Sequence, residues 1–416
     1  MNRERIINVI GLGYIGLPTA LSFAANGIKV IGTDLNKEIV TKLNTGKTTF
    51  KEEGLDELFE EALNAGIKFS TEYQETDAYI VTVPTPYIKE SKQLDPKYVI
   101  SAVNTVLDVC KKDTILVIES TVSPGTMDKY VRPIVEERGF KIGEDIHLVH
   151  APERIIPGNM IKELKHNSRT IGADNNEIGK IVKSWYESFC EGEIVVTNIK
   201  TAELSKVVEN TFRDINIAFA NELSRICRRE GIDINELISI SNRHPRVNIL
   251  SPGPGVGGHC ISVDPWFLVG DYPDLVNIIL AARAVNDSQP DFVIQRMRQI
   301  MEQNEISDIS KVGIYGLTYK EDVDDMRESP TFQLLEKFNN YFVKGIKVYD
   351  PLIEEVIIDG QYVDFDKFLD DVEMIVVMVG HKHIKDHMEK IQNKYILDTK
   401  NCIKVNDIYK KKVYGL

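Results

Sequence analysis

The chain has 416 residues, which is too long for one ordinary hydrophobic core, so we expect two or three domains. Its 63 acidic and 50 basic residues give a formal charge of −13, and this charge argues against nucleic acid as a partner. A hydrophobic content of 43% and a charged content of 27% are typical of a globular protein. No apolar run reaches the roughly 18 to 20 residues that a membrane helix needs.

The cysteines give further limits. They are Cys110, Cys190, Cys227, Cys260 and Cys402, an odd number without any C-x-x-C pair. This pattern argues against a disulfide framework and against a zinc site. We therefore expect no metal and a reducing, cytoplasmic location.

Short apolar runs rich in β-branched residues recur through the first part of the chain. The predicted strands are residues 6–10, 29–33, 79–83, 115–118 and 147–150. Segments of helix length with apolar residues every three or four positions separate them. This alternation predicts a doubly wound parallel sheet.

A glycine motif follows the first predicted strand and opens a helix. Gly11 permits a tight turn, Gly13 lets backbone N–H groups approach a pyrophosphate, and Gly16 allows the helix to pack close to the strand. Asp34, at the end of the next strand, suits the ribose hydroxyls of NAD and would repel the 2′-phosphate of NADP. We therefore predict an NAD site, with 83–86 and 119–125 following later strands at the same edge.

The pattern changes near residue 201, where apolar residues continue at helical spacing for about 30 residues. A loop rich in glycine and proline follows at 251–258. Strands are predicted again at 312–315, 346–349, 374–379 and 395–397. The fold class is thus α/β, with two Rossmann-like doubly wound parallel-sheet domains joined by a long central helix within an all-α connector. We predict boundaries at 1–198, 199–305 and 306–416.

Cys260 is the candidate nucleophile. Glycines beside it leave backbone amides uncovered, and Asp264, four residues later, can return to the same site. The other four cysteines lie in apolar periodic segments that are typical of structural positions.

Three further residues are candidates. Lys206 and Asn210 are one helical turn apart, so they project from one face and can meet one ligand, although a solvated lysine and a surface asparagine fit that spacing too. Glu153 follows the strand that ends at 150, where α/β sheets place their ligands. A lone glutamate there also fits a structural role.

With these residues assigned, the chain resembles the UDP-glucose/GDP-mannose dehydrogenase family over essentially its whole length. Its motifs occur in the family's order: G-L-G-Y-I-G-L-P, V-P-T-P, E-S-T-V-x-P-G-T, P-E-R, K-x-x-E-N-x-F, G-P-G-V-G-G-H-C and Y-K-E-D-V-D-D-x-R-E-S-P. The resemblance implies an NAD-dependent, two-step oxidation of a sugar-nucleotide alcohol to a carboxylate through a thioester on Cys260. It also implies a role in polysaccharide biosynthesis.

Two positions depart from the UDP-glucose pattern. Val263 and Pro157 stand where that pattern has a lysine and a second glutamate. Together with 243–250 and 263–267, these residues are similar to the branch of the family that oxidises UDP-N-acetyl-D-mannosamine. The branch that oxidises UDP-N-acetylglucosamine is the nearest alternative, and UDP-glucose is a further one.

The resemblance assigns roles residue by residue. It implies NAD contacts from Gly11, Gly13, Tyr14, Ile15, Gly16, Asp34, Pro84, Thr85, Thr121 and Arg327. It implies substrate contacts from Arg154, Lys206, Asn210, His244, Arg246, Gly257, Tyr319 and Lys320, with Arg246 offered to a neighbouring subunit. Lys206 and Asn210 would stabilise oxyanions, and Glu153 or Asp264 would handle protons and the hydrolytic water. The role of His259 stays open. The central helical segment would form the interface of a homodimer or larger homo-oligomer.

Two other classes of function fit part of the pattern. A two-electron hydroxyacid dehydrogenase, similar in layout to 6-phosphogluconate dehydrogenase, would use Lys206 and Asn210 but give Cys260 no role. A dinucleotide sensor or scaffold would need only the glycine motif. Formation of one NADH for each substrate molecule would favour the hydroxyacid dehydrogenase. Binding of NAD without turnover would favour the sensor or scaffold.

Overall fold

The structure is a computed structural model that describes residues 5–258, 260–341, 346–403 and 412–416. Contacts within the chain divide it into two compact units. The first unit extends to Glu209 and includes Trp266–Asp271, and the second comprises Asn210–Pro265 and Tyr272–Leu416. The boundaries predicted at 198 and 305 stay predictions.

The first unit is built on one sheet, in which the described residues form eight strands. The strands are β1 (Ile6–Ile10), β2 (Lys29–Thr33), β3 (Lys68–Ser70), β4 (Ala78–Val81), β5 (Thr114–Ile118), β6 (Ile146–His150), β7 (Arg169–Ala173) and β8 (Ile194–Thr197). Their order is β3-β2-β1-β4-β5-β6-β7-β8, and neighbours are parallel except β6 and β7. β4, β5 and β6 are buried along their whole length, as expected of strands covered by helices on both faces.

Helices cover this sheet. They are α1 (Gly16–Ala25), α2 (Lys37–Asn44), α3 (Leu55–Asn64), α4 (Lys97–Val109), α5 (Arg132–Glu137), α6 (Met160–His166) and α7 (Asn176–Tyr186), with a π-helical turn at Met127–Val131. Leu17 and Leu21 of α1 join Ile7 and Val9 of β1 in the hydrophobic core. This packing fixes the start of α1 at the end of β1, where the glycine motif lies.

The central helix α8 (Ile199–Glu230) has 32 residues, close to the length predicted from the apolar spacing. Gly172 of β7 lets its first turn approach the sheet. A Cβ at this position would lie 2.7 Å from Ile199 Cα and 2.6 Å from Ala202 Cβ. Only glycine leaves room for such an approach.

The second unit contains a shorter sheet and the remaining helices. The helices are α9 (Ile234–Ser241), α10 (Asp264–Asp271, whose residues from Trp266 belong to the first unit), α11 (Asn277–Asp287), α12 (Gln289–Gln303), α13 (Pro330–Tyr341), α14 (Phe365–Asp371), α15 (Lys382–Asp386) and α16 (Met388–Ile391). A 3₁₀ turn at Ile309–Lys311 precedes the sheet. The strands are β9 (Val312–Tyr315), β10 (Lys347–Tyr349), β11 (Gln361–Tyr362), β12 (Met374–Val377), β13 (Tyr395–Asp398) and β14 (Val413–Gly415). They pair in parallel in the order β11-β10-β9-β12-β13-β14.

The predicted fold class is confirmed: two parallel-sheet α/β parts accompany a long central helix. Each predicted strand is present, with ends that differ by at most two residues. Among the described strands, the sequence patterns missed β3, β7, β8, β11 and β14. Three of these have three residues or fewer, too short to show a period.

Candidate active site

The glycine motif forms the turn that the sequence predicts. Gly11 has φ +91°, and a Cβ there would lie 2.9 Å from the carbonyl oxygen of Thr82. A Cβ on Gly16 would lie 1.8 Å from the oxygen of Gly11, so close packing of helix and strand requires glycine. A Cβ on Gly13 would meet nothing within 4 Å, and this open space lies where a pyrophosphate would approach the backbone.

Asp34 is tied to the same turn. Its Oδ2 accepts a hydrogen bond from the Leu12 amide at 2.8 Å, and its Oδ1 accepts one from the Asn36 amide at 2.8 Å. The carboxylate is half-buried beside the start of α1, where Tyr14 packs against Phe50 with ring centroids 4.5 Å apart. The open space at Gly13 and this fixed carboxylate fit the pyrophosphate and the ribose of NAD.

Two other loops meet the glycine turn at this edge of the sheet. Thr82 Oγ1 donates to the Gly11 carbonyl at 2.6 Å, and Ser120 Oγ donates to the Val83 carbonyl at 2.7 Å. These bonds join the ends of β1, β4 and β5, so the segments that carry Thr85 and Thr121 lie beside the turn. Pro84 is exposed, Thr85 is buried and Thr121 is half-buried.

Glu153 lies three residues beyond β6 and is only 4% exposed. One of its oxygens accepts a short hydrogen bond from the Ile155 amide. This bond fixes the carboxylate within its own loop. Lys206, on α8 of the same unit, is only 6% exposed. The alternative of a solvated lysine is therefore wrong for this side chain.

A buried cluster that the sequence reasoning missed lies in the same unit. Glu119 accepts hydrogen bonds from Arg169 Nη1 and from the Tyr186 hydroxyl, each at 3.0 Å. Burial raises the pKa of Glu119 above its usual value, although the adjacent Arg169 charge favours the ionised form and Glu153 opposes it. The sequence shows Glu119 only as part of the E-S-T-V motif, and no spacing in it connects this residue with Arg169.

In the second unit, the Cys260 loop and α8 provide three of the predicted catalytic residues. Asn210 Nδ2 donates to Asp264 Oδ2 at 2.6 Å, and both side chains are buried. The Asp264 amide donates to the Cys260 carbonyl at 2.9 Å. Cys260 itself is half-buried. The surface asparagine considered as an alternative for Asn210 is therefore wrong as well.

Tyr319 packs directly against the glycines that precede Cys260. A Cβ on Gly258 would lie 2.7 Å from the Tyr319 ring, and one on Gly257 would lie 3.0 Å from Tyr319 Cβ. Burial, with the charge of Asp325 as the next cause, raises the pKa of Tyr319 to about 12, and Cys260 adds to the effect. The hydroxyl therefore stays a neutral donor near Cys260 at physiological pH.

Arg327 is linked to the same loop, because its carbonyl accepts a hydrogen bond from the Gly258 amide at 3.0 Å. Its guanidinium donates to both carboxylate oxygens of Asp325, at 2.9 and 2.6 Å. Arg213 of α8, which the sequence analysis did not select, lies close enough to lower the pKa of Tyr319. It follows Lys206 by seven residues and Asn210 by three, a helical spacing that would have revealed it.

The remaining residues predicted to bind the substrate differ in exposure and in hydrogen-bond partners. His244 and Arg246 are exposed beyond α9, and the Arg246 amide donates to His244 Nδ1 at 3.3 Å. Lys320 is half-buried next to Tyr319. The guanidinium of Arg154 is bonded to Glu209, Ser168 and Thr170. The roles of these four residues stay predictions, and His259 lies outside the described residues.

Two kinds of feature are absent from the residues that the structure describes. No group of three or more His, Cys, Asp or Glu side chains there is arranged to hold a metal ion. None of the helices described is both long enough and apolar enough to cross a bilayer.

Comparison with known proteins finds matches along most of the chain. The NAD-binding, central and UDP-binding domains of the UDP-glucose/GDP-mannose dehydrogenase family match residues 5–190, 200–288 and 313–405. A UDP-N-acetyl-D-mannosamine dehydrogenase of Campylobacter jejuni is 42% identical over 92% of this chain and 97% of its own. An NDP-N-acetyl-D-galactosaminuronic acid dehydrogenase of Ralstonia solanacearum is 38% identical over 95% of this chain and 96% of its own. The solved structure of a UDP-D-ManNAc dehydrogenase from Pyrococcus horikoshii is similar, with a TM-score of 0.91 and 34% identity, and the match covers 99% of this chain and 98% of that one.

Proposed function

The chain belongs to the UDP-glucose/GDP-mannose dehydrogenase family, and from this premise we propose that it oxidises UDP-N-acetyl-D-mannosamine at C6 to the uronate. It is an NAD-dependent UDP-sugar dehydrogenase. The choice of sugar is supported by relatives such as the Campylobacter jejuni enzyme and by Val263 and Pro157, which depart from the UDP-glucose pattern. The cysteine content favours action in the cytoplasm.

One observation carries the proposed chemistry. Cys260 is half-buried in a polar glycine-rich loop beside Tyr319, and the Asp264 that follows it is hydrogen-bonded to Asn210. A cysteine that serves only packing needs no such polar neighbours. This environment suits a nucleophile.

Bound NAD supplies the hydride acceptor for each of the two oxidations. The backbone around Gly11 and Gly13 would hold its pyrophosphate, and Asp34 would hold its ribose. Each oxidation also releases a proton, which a side chain of the enzyme must accept. When the 6-hydroxyl loses that proton, negative charge develops on its oxygen, and the buried ammonium of Lys206 stabilises it.

The second half of the reaction depends on Cys260. Its thiolate attacks the aldehyde carbon to form a C–S bond, and the Asn210 amide and Lys206 stabilise the resulting oxyanion. Loss of hydride from this thiohemiacetal leaves a thioester. Water then loses one proton to Glu153 and attacks the carbonyl carbon, the C–S bond breaks, and the Cys260 thiolate is regenerated. The carboxylic acid formed loses its proton to solvent and leaves as the carboxylate. The covalent bond keeps the aldehyde on the enzyme between the two oxidations.

The two carboxylates have different tasks in this scheme. Asp264 accepts from Asn210 Nδ2 and so orients that amide toward the oxyanion. Glu153, held by the Ile155 amide, is the base that activates the hydrolytic water.

We also propose that the protein assembles as a homodimer or larger homo-oligomer. Phe212, Phe219 and Ile226 are exposed at seven-residue spacing on α8, so they form one apolar stripe. Leu275, two residues before α11, and Ile278, in its first turn, belong to the same unit and are still more exposed. Large apolar side chains exposed in such a stripe are typical of an interface.

The experiment that tests the proposed function measures NADH and acid formed by the purified protein from four sugar nucleotides. UDP-N-acetyl-D-mannosamine is expected to give the highest kcat/KM and two NADH for each uronate, ahead of UDP-N-acetylglucosamine, UDP-glucose and GDP-mannose. Preference for another of the four would replace the proposed sugar. One NADH and a ketone product would instead favour a two-electron dehydrogenase.

A further inference from the structure

Arg154 follows Glu153 directly, and its guanidinium donates all its hydrogen bonds to other groups of the protein. Nε donates to Glu209 Oε2 at 3.0 Å, and Nη2 donates to Glu209 Oε1 at 2.5 Å and to Thr170 Oγ1 at 3.0 Å. Nη1 donates to the carbonyl and the hydroxyl of Ser168, at 2.8 and 3.0 Å. A guanidinium has five N–H groups, and these bonds use five. None is left for a substrate.

We infer that Arg154 is a positioning residue, which holds the Glu153 loop against α8 through Glu209, and that its side chain does not contact the sugar nucleotide. This inference rests on the proposed function, because the proposed function is what gives Glu153 and Lys206 their roles in the reaction. It replaces the direct substrate contact that the family resemblance implies for Arg154.

The placement of Glu209 gives the ion pair its effect on the reaction. Glu209 lies three residues after Lys206 on α8, within the same turn of the helix. The Arg154 backbone is held as well, since its carbonyl accepts a hydrogen bond from Asn167 Nδ2 at 2.8 Å. The pair therefore fixes the loop that carries the proposed base relative to the helical turn that carries the proposed cation. Glu153, Arg154, Lys206 and Glu209 all belong to the first unit.

The geometry of the pair matters more than its charge. Both oxygens of Glu209 receive a donor from the same guanidinium, which sets the distance and the orientation of the two groups together. A lysine at position 154 would keep the positive charge but lose this fork. The Arg154 and Glu209 side chains are 23% and 40% exposed, so the pair adds little to global stability.

The first test is the kinetics of Arg154→Lys, Glu209→Gln and the double variant in the full-length enzyme, with the sugar nucleotide that wild type uses fastest. Each single variant is expected to lower kcat at least about tenfold, because small displacements of catalytic groups have large effects on rate. KM for the sugar nucleotide should change less than about threefold. The double variant should be no slower than the slower single variant, since the two residues act as one unit.

Arg132→Lys is the matched control. Arg132 donates to Asp174 at 2.6 Å in the same unit, and the two side chains are 25% and 43% exposed, close to the values for Arg154 and Glu209. The kcat of Arg132→Lys is expected to equal that of wild type. An equal loss of kcat in this control would overturn the inference. So would a raised KM in Arg154→Lys with unchanged kcat and a fully active Glu209→Gln, because that pattern indicates direct substrate binding.

Amide hydrogen exchange tests the positioning without turnover. The Ile155 and Ile156 amides donate to Glu153 and to Glu163, so an intact loop protects them. Both Arg154→Lys and Glu209→Gln are expected to speed exchange in residues 151–158, and Arg132→Lys is not. A wild type that turns over no sugar nucleotide would refute the proposed function, whereas unchanged exchange in both variants would refute the positioning.

Discussion

Cys260 differs from the other cysteines in its surroundings. Cys190 and Cys227 are buried, and burial raises the pKa of the Cys110 thiol to about 11 and that of Cys402 to about 12. Thiols of that kind are inert, because the thiolate is the nucleophile. Cys260 lies instead in a loop of glycines with a tyrosine hydroxyl and two buried polar side chains close by. Its position in sequence suggested this role, and its neighbours support it.

Cys260→Ser should stop the reaction before the acid forms. Serine has no thiolate to capture the aldehyde, so we expect uronate formation to fall at least about 10³-fold, as expected when a nucleophile is removed. The measurement counts NADH and uronate for each sugar nucleotide consumed. Cys110→Ser, at a second half-buried cysteine, is the control and should match wild type. Two NADH and free acid from Cys260→Ser at the wild-type rate would end the thioester scheme.

At the same scale, spacing predicted which residues share a face but not what they contact. The i, i+4 spacing of Lys206 and Asn210 predicts that they share a face, yet it does not show that Asn210 bonds to Asp264, 54 residues away. The partners of Arg154, at 168, 170 and 209, are equally invisible in a single sequence. Side-chain partners far apart in sequence are therefore the part of the site that patterns do not predict.

At the scale of elements, α8 has an unusual distribution of polarity. Its buried positions include Lys206, Asn210 and Asp214, whereas Leu204 and Phe212 are exposed. The apolar spacing predicted the helix and its length correctly, but it does not specify what the apolar stripe faces. An apolar stripe indicates that a helix face packs against another apolar surface, but not which surface that is. Here the polar face meets the protein interior.

Gly172 determines how close α8 lies to the sheet, and Gly172→Ala tests this. The added methyl would lie under 3.0 Å from Ile199 Cα, Ala202 Cβ and the Asn198 oxygen, so backbone must move. We expect a loss of about 1–3 kcal/mol in the free energy of unfolding, the usual effect of overpacking. Urea denaturation measures it. Gly415→Ala, where a Cβ meets nothing within 4 Å, should leave the midpoint unchanged. Equal urea midpoints for both variants would show that the close contact between Gly172 and the first turn of α8 does not stabilise the fold.

At the scale of the whole molecule, alternation of strand and helix patterns was sufficient to predict the fold class. Long buried strands such as β1 and β5 have strong apolar runs, so they were located within one residue. The antiparallel pairing of β7 with β6 was not predicted, because a single strand's pattern does not specify its neighbour. The division into units was also beyond the pattern, since contacts between distant residues define it.

Assembly is the property of the whole molecule that the exposed stripe on α8 predicts. Phe212 is 63% exposed, and an aromatic side chain at the centre of an interface often contributes more than about 2 kcal/mol. Phe212→Asp should therefore raise the dissociation constant at least about 30-fold and shift the protein toward monomer. Light scattering after size-exclusion chromatography measures the mass. Val356→Asp, an exposed apolar residue outside α8, should keep the wild-type mass. A monomeric wild type, or a Phe212→Asp variant of unchanged mass at all concentrations, would exclude this surface as the interface.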